Sequence, residues 1–172
     1  MVNLATKYMG LNLKNPIIVS SCSLSRGVET IKRCADAEAG AVAIKSLFEE
    51  QIHADVQALA DSATSTFHTE EWDYIQRMGM DLNADEYLKV IEQAKEAVDI
   101  PLIASLNCVS NDRWTEFAKY IEAVGADALE LNIAVMPRQF DDDPEKIEKH
   151  ICDIVSTVKH NVNMPVAVKL GP

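Results

Sequence analysis

Seven polar side chains stand where buried apolar runs end. Ser20 lies four residues after Pro16, Ser105 four after Pro101 and Lys169 four after Pro165. Lys45 and Glu130 lie five after Gly40 and Gly125, and Asn107 and Asn132 come two residues beyond Ser105 and Glu130. Side chains alternate across a strand, so this spacing predicts that the seven share one face near C-terminal strand ends. Ligands of α/β proteins bind at those ends. Amides and hydroxyls there suit hydrogen bonding to a flat heterocycle, and an ammonium would stabilise charge developing on such a ring. Two lysines and a glutamate among apolar strands are costly unless paired or used. A Lys/Glu network that satisfies itself is the alternative reading.

Other chemistries find less support. No His stands at a strand end, and Ser20 and Ser21 carry no activation signature, so a nucleophile–base pair is absent. Glu130 is the lone carboxylate at a strand end, which argues against glycosidase-type paired acids. There is no G-x-G-x-x-G and no P-loop. Cys22, Cys34, Cys108 and Cys152 form no C-x-x-C pair and read as free thiols in or near the core. His150 and Cys152 are two apart on a helix and do not share a face, so no metal site is expected.

The elements that must position these residues alternate regularly. Near-continuous apolar runs at Pro16–Cys22, Ala41–Leu47, Pro101–Asn107, Ala128–Ala134 and Pro165–Gly171 read as strands buried on both faces. Between them, 27–39, 83–98, 111–124 and 143–160 carry apolar residues at helical spacing, with Gly40 and Gly125 as stops and Pro144 at a first helical position. Gly40-Ala41-Val42-Ala43-Ile44-Lys45 resembles Gly125-Ala126-Asp127-Ala128-Leu129-Glu130, and Ile100–Ser105 resembles Met164–Lys169, as βα repetition requires. Leu4–Met9 and Leu11–Lys14 flank Gly10 and read as a hairpin, so residues 1–15 are expected to cap one end. The stretch from 48 to 82 breaks the rhythm as a long polar insertion.

The chain has 172 residues and a net charge of −11, with 48% hydrophobic and 25% charged residues. That composition suits a globular domain and disfavours nucleic-acid binding, which needs a clustered basic face. No stretch approaches the roughly 20 apolar residues of a membrane span, and no signal-peptide core is present. A cytoplasmic location is the expectation.

Several pieces resemble one family. Tyr8-Met9-Gly10-Leu11-Asn12-Leu13-Lys14-Asn15-Pro16-Ile17-Ile18 is similar to the N-terminal signature of dihydroorotate dehydrogenases and their FMN-barrel relatives. Lys45-Ser46, Met78-Gly79-Met80, Glu130-Leu131-Asn132-Ile133 and Val166-Ala167-Val168-Lys169-Leu170 follow in the family's order. The resemblance implies an α/β fold, a parallel (β/α) barrel of TIM type, of which residues 16–172 would supply about five βα units. It implies FMN as cofactor and oxidation of a dihydropyrimidine-like small molecule, as in pyrimidine biosynthesis. Ser20, Ser21, Lys45, Ser46, Asn107, Asn132 and Lys169 would contact FMN. Lys45, Gln76, Met78, Gly79 and Asn132 would contact substrate. Lys169 would sit near the flavin's pyrimidine edge and stabilise the reduced ring.

Three departures qualify the transfer. The family's proton-abstracting Cys or Ser is matched by Val135, which cannot take a proton. Gln76 stands where a substrate-binding Asn is expected. A complete barrel needs about 250 residues, so the chain is expected to be the N-terminal part of a longer enzyme. Its fifth strand would then offer an open edge for another chain, a route to a homo-oligomer. Two further readings stay open: a flavodoxin-like binding module without catalysis, and a barrel lyase or aldolase forming a Schiff base through Lys45 or Lys169.

Overall fold

A computed structural model describes residues 2–50, 84–109, 111–133 and 143–171. The first element is a hairpin, β1 (Thr6–Tyr8) and β2 (Leu11–Leu13), turning through Met9 and Gly10, both at positive φ. There follow β3 (Ile18–Val19), a 3-10 turn at Ser23–Ser25, α1 (Val28–Asp36), β4 (Ala41–Ala43) and β5 (Leu47–Phe48). Residues 84–97 form α2. The rest is β6 (Leu102–Asn107), α3 (Asn111–Ala123), β7 (Ala128–Ile133), α4 (Pro144–Asn161) and β8 (Val166–Leu170).

The strands make one parallel sheet in the order β3-β4-β6-β7-β8, with β5 also pairing β6. Each described βα unit therefore lies beside its predecessor. A flavodoxin-like sheet would reverse direction after its first strand. Sequential order is that of a singly wound barrel wall, and the binding-module expectation fails on this point.

The two faces of the sheet differ. Val42, Ile44, Leu47, Leu102, Ala104, Leu106, Leu129, Leu131 and Ile133 pack in a large core with Ile31 of α1, Ile91 of α2, Trp114, Phe117 and Ile121 of α3, and Ile154 and Val158 of α4. The opposite, inner face starts apolar. Ala41, Ala43, Ile103 and Ala128 form a second cluster with Leu13, against which Met9, Leu11 and Ile18 pack. The hairpin thus closes the N-terminal end of the inner face. The C-terminal half of that face carries the polar residues.

Local signals explain most boundaries. Asp143 caps α4 by accepting from the Glu145 amide at 3.1 Å, and Pro144 occupies the first turn. Gly125, at φ 86°, ends α3. At the foot of the sheet Asp127 accepts from Leu102 N at 2.8 Å and from Lys95 Nζ at 2.7 Å, tying β6, α2 and the start of β7 together.

The expected first strand, Pro16–Cys22, shortens to two residues, because the chain leaves the sheet for a turn organised by Ser25. The buried Ser25 hydroxyl accepts from Cys22 N and bonds the carbonyls of Ser20 and Cys22. The expected second strand, Ala41–Leu47, divides into β4 and β5, and Phe48, read as the start of the insertion, belongs to β5. Residues 51–82 of that insertion lie outside the described residues. All four cysteines are free, and Cys108 is buried, but Cys152 is exposed on α4 rather than near the core. No described helix is long and apolar enough to cross a membrane.

Candidate active site on the inner face of the sheet

The division between β4 and β5 creates the site's most distinctive geometry. Val42 and Ala43 pair with Leu102 and Ile103, whereas Leu47 and Phe48 pair with Leu106 and Asn107. Four residues on one strand thus run beside three on the other, a bulge with one extra residue. Ile44 and Leu47 both join the outer core. Lys45 follows the inward parity of Ala41 and Ala43, and the extra residue, Ser46, also turns inward, since its Oγ lies 2.7 Å from Ser105 Oγ. One slip in register therefore aims two consecutive side chains at the same face.

The bulge also interrupts the ladder, and hydroxyls take over its bonds. Ile44 N donates to Ile103 O at 2.8 Å, the last regular rung. Ser46 N turns to Ser21 Oγ at 2.8 Å. The amide and carbonyl of Ser105 would otherwise be orphaned in the middle of a buried strand. Tyr87 of α2 serves both: its hydroxyl accepts from Ser105 N at 2.9 Å and donates to Ser105 O at 3.0 Å. Burial pushes the Tyr87 phenol well up from its ordinary value, so it stays protonated.

From this point a line of polar side chains runs from the turn after β3 through the bulge to β6, β7 and β8. Ser21 Oγ lies 3.0 Å from Ser46 Oγ, Ser46 Oγ 2.7 Å from Ser105 Oγ, and Ser105 Oγ donates to Glu130 Oε1 at 3.0 Å. Lys169 Nζ donates to the same Oε1 at 3.0 Å. Ser105 stands opposite Glu130, and Asn132 opposite Lys169, in the register of the sheet. Asn107 Nδ2 donates to Asn132 O at 2.7 Å. Lys45 Nζ lies 5.5 Å from the centre of the Phe48 ring.

Five of the seven residues singled out by spacing thus fall into two bonded groups: Ser105, Glu130 and Lys169, and Asn107 with Asn132. Lys45 shares their face. Ser20 does not join them by its side chain; it is exposed beyond the end of β3, and its carbonyl serves the Ser25 turn. Ser21 enters the network in its place. The Lys/Glu alternative is partly realised, because Lys169 and Glu130 do pair. The pair is not sealed, however: the Lys169 side chain is 45% exposed and that of Glu130 20%. Gln76, Met78, Gly79 and Val135 lie outside the described residues.

Two participants escaped sequence reading. Tyr87 was legible only as an apolar position of α2. Glu49, 4% exposed, accepts from Val109 N at 2.7 Å and joins the end of β5 to the turn after β6. Its position inside the polar stretch from 48 to 82 gave no sign of burial. Among the described residues no group of three or more His, Cys, Asp or Glu could hold a metal ion. A cavity of about 690 Å³ lies elsewhere, between α3 and α4 on the outer surface, lined by Trp114, Glu116, Lys119, His150 and Asp153 among others. It shares no residue with the polar line.

A singly wound parallel sheet, helices packed on one face and polar residues at the C-terminal strand ends of the other, defines part of a β/α barrel of TIM type. Solved barrel enzymes share this fold: a dihydrodipicolinate synthetase from Pseudomonas aeruginosa superposes with a TM-score of 0.51 at 14% identity, over 88% of this chain and 44% of that one. A dihydrodipicolinate synthase gives 0.50 at 16% identity, again over 88% and 44%. Sequence comparison is more particular. The profile of the dihydroorotate dehydrogenase family matches residues 3–172, and the chain belongs to that family. It is 33% identical to the catalytic subunit of dihydroorotate dehydrogenase B (NAD(+)) of Methanocella arvoryzae, over 95% of this chain and 52% of the relative. It is 26% identical to the Thermoplasma volcanium subunit of the same name, over 100% and 55%. The chain spans about half the length of the curated relatives it matches.

Proposed function

We propose that the chain supplies the N-terminal half of an FMN-dependent oxidoreductase that oxidises a dihydropyrimidine-like ring. The observation that carries this reading is the line Ser21–Ser46–Ser105–Glu130–Lys169, with Lys45 on the same face, at the C-terminal ends of the strands. The polar set fits the group: ammonium donors and hydroxyl and amide groups stand on an apolar-floored face, as the polar edge of a flavin requires. When bound, FMN would take two electrons from the substrate as hydride. The chain's own residues bind and orient. Glu130 fixes Lys169 so that its ammonium faces the ligand side with a set direction, and Asn107 holds the end of β7 through Asn132 O. Neither is a proton acceptor from substrate. The sequence position matching the family's base is Val135, so the base lies elsewhere or the substrate differs from the family's.

The Schiff-base reading loses ground on the same geometry. A Schiff-base lysine must reach its substrate unencumbered, whereas Lys169 Nζ is engaged by Glu130 Oε1 at 3.0 Å; for Lys45 the reading stays open.

The test is direct. The longest natural product carrying this sequence is purified and its visible spectrum recorded. A yellow protein bleached by dithionite, with weaker FMN retention in Lys169→Ala and Lys45→Ala, is expected. A colourless protein whose melting does not rise on added FMN would overturn the reading. A borohydride-stable adduct with a carbonyl substrate would favour the lyase instead.

A further inference from the structure

The direction of the serine chain follows from counting hydrogens. A hydroxyl has one hydrogen and two lone pairs, and a carboxylate has no hydrogen to give. Glu130, paired with Lys169, is a carboxylate, so the Ser105 hydrogen points to Glu130 Oε1. The 2.7 Å bond between Ser46 and Ser105 must then use the Ser46 hydrogen. The 3.0 Å bond between Ser21 and Ser46 must in turn use that of Ser21. Ser21 Oγ also accepts the Ser46 amide. It is left with one lone pair and no hydrogen. Ser105 is fully buried and Ser46 is 8% exposed, while Ser21 is half-buried. The Ser21 end is therefore the one open to a ligand.

We propose that Glu130, acting through Ser105 and Ser46, makes Ser21 an acceptor only, so that the site selects planar heterocycles presenting an N–H donor at that point. Glu130 is here a positioning residue, working two side chains away from the atom it controls. The same carboxylate sets the direction of Lys169, so one group fixes a donor at one end of the site and an acceptor at the other. This selection rests on the reading of the inner face as a ligand site; the hydroxyl order does not.

NMR of the longest natural product carrying this sequence, isotope-labelled at serine, tests both parts. In the wild type the Ser46 and Ser105 hydroxyl protons are expected in slow exchange with water, with a cross-peak from the Ser46 hydroxyl proton to the Ser105 β protons. Ser105→Ala removes the acceptor of Ser46, and its hydroxyl exchange is expected to quicken about tenfold or more. Glu130→Gln keeps the order, because a carboxamide oxygen still accepts from Ser105 and Lys169; Glu130→Ala loses it. An unchanged amide spectrum elsewhere establishes that each variant is folded. Unaltered Ser46 exchange in Ser105→Ala, or a cross-peak to Ser21 instead, would overturn the hydroxyl order.

For selection, uracil is titrated against 1,3-dimethyluracil, which lacks N–H donors, and the Ser21 and Ser46 amides are followed. A preference for uracil of about tenfold is expected, and it should shrink in Ser105→Ala, where the freed hydroxyls can turn. Equal binding of the two by the wild type, with the hydroxyl order intact, overturns donor selection. Binding of neither uracil nor FMN overturns the ligand-site reading and selection together, and leaves the hydroxyl order judged by its exchange alone.

Discussion

Tyr87 shows how one atom can hold a site it does not enter. Its hydroxyl closes the ladder where the bulge opens it, by serving the amide and the carbonyl of Ser105 together. Tyr87→Phe keeps the ring and removes that atom, leaving two buried backbone groups unpaired. Each costs about 1–3 kcal/mol, so a loss of about 2 kcal/mol or more in urea unfolding is expected. A loss under about 0.5 kcal/mol would mean that Ser105 has found other partners. Cysteine chemistry separates by the same logic of surroundings. Burial pushes the Cys108 thiol well above its ordinary value, and the Glu49 carboxylate nearby raises it further. The thiolate is the reactive form. At about pH 8, near the ordinary thiol value of ~8.5, Cys108 therefore stays protonated. Iodoacetamide followed by mass spectrometry should mark exposed Cys152 and spare Cys108, with Cys108 reacting only as pH climbs far into the alkaline range. Early modification of Cys108 in the folded chain would contradict this. Strand parity alone placed Ser105, Glu130 and Lys169 together. It missed Ser46, because a register slip depends on bonds from Ser21 and Tyr87 that lie far away in sequence.

At the scale of elements, Gly40 is the tightest joint. It reads in sequence as a helix stop, but the left-handed residue after α1 is Glu38, at φ 67°. Gly40 is demanded by packing: a Cβ there would overlap the carbonyl oxygen of Asn15. Asn15 cannot easily yield, since its side chain donates to Glu38 O and accepts from Ile17 N, while Gly40 N donates to Ile17 O. Gly40→Ala should cost about 1–3 kcal/mol, read as a lower melting temperature with loss of amide dispersion in β1 and β2. A neutral result would show that the segment from Asn15 to Ile17 can shift. Helices were legible within one to three residues because their periodicity and caps are local, as at Asp143 and Pro144. The hairpin was legible for the same reason. The strand ends were less so. Apolar runs continue past the last paired residue, and only side-chain-to-backbone bonds such as those of Ser25 decide where pairing stops.

The whole sheet is unevenly secured, and the line of site residues crosses that gradient. β6 and β7 are paired on both sides and nine of their twelve residues are buried. β8 pairs only with β7 among the described residues, and Val168 and Leu170 are 39% and 59% exposed. β3 contributes two residues at the other edge. Local opening follows burial and hydrogen bonding, so amide exchange should be slowest at Ala104, Leu106, Leu129 and Leu131. As a group, the β8 amides should exchange about 100-fold faster or more. Ser105 and Glu130 thus stand on the rigid centre, while Lys169 stands on the strand that opens first. The Lys169–Glu130 bond is one tie across that boundary, and a ligand contacting Lys169 would add another. Bound ligand should then slow exchange in β8, and in β6 as well, because anything that binds only the folded chain raises the global unfolding free energy that limits β6. Hydrogen–deuterium exchange with and without FMN measures this. Equal protection of β8 and β6 in the free chain would show that the edge is secured by contacts beyond the described residues. A ligand effect confined to β6 would mean that Lys169 takes no part in binding.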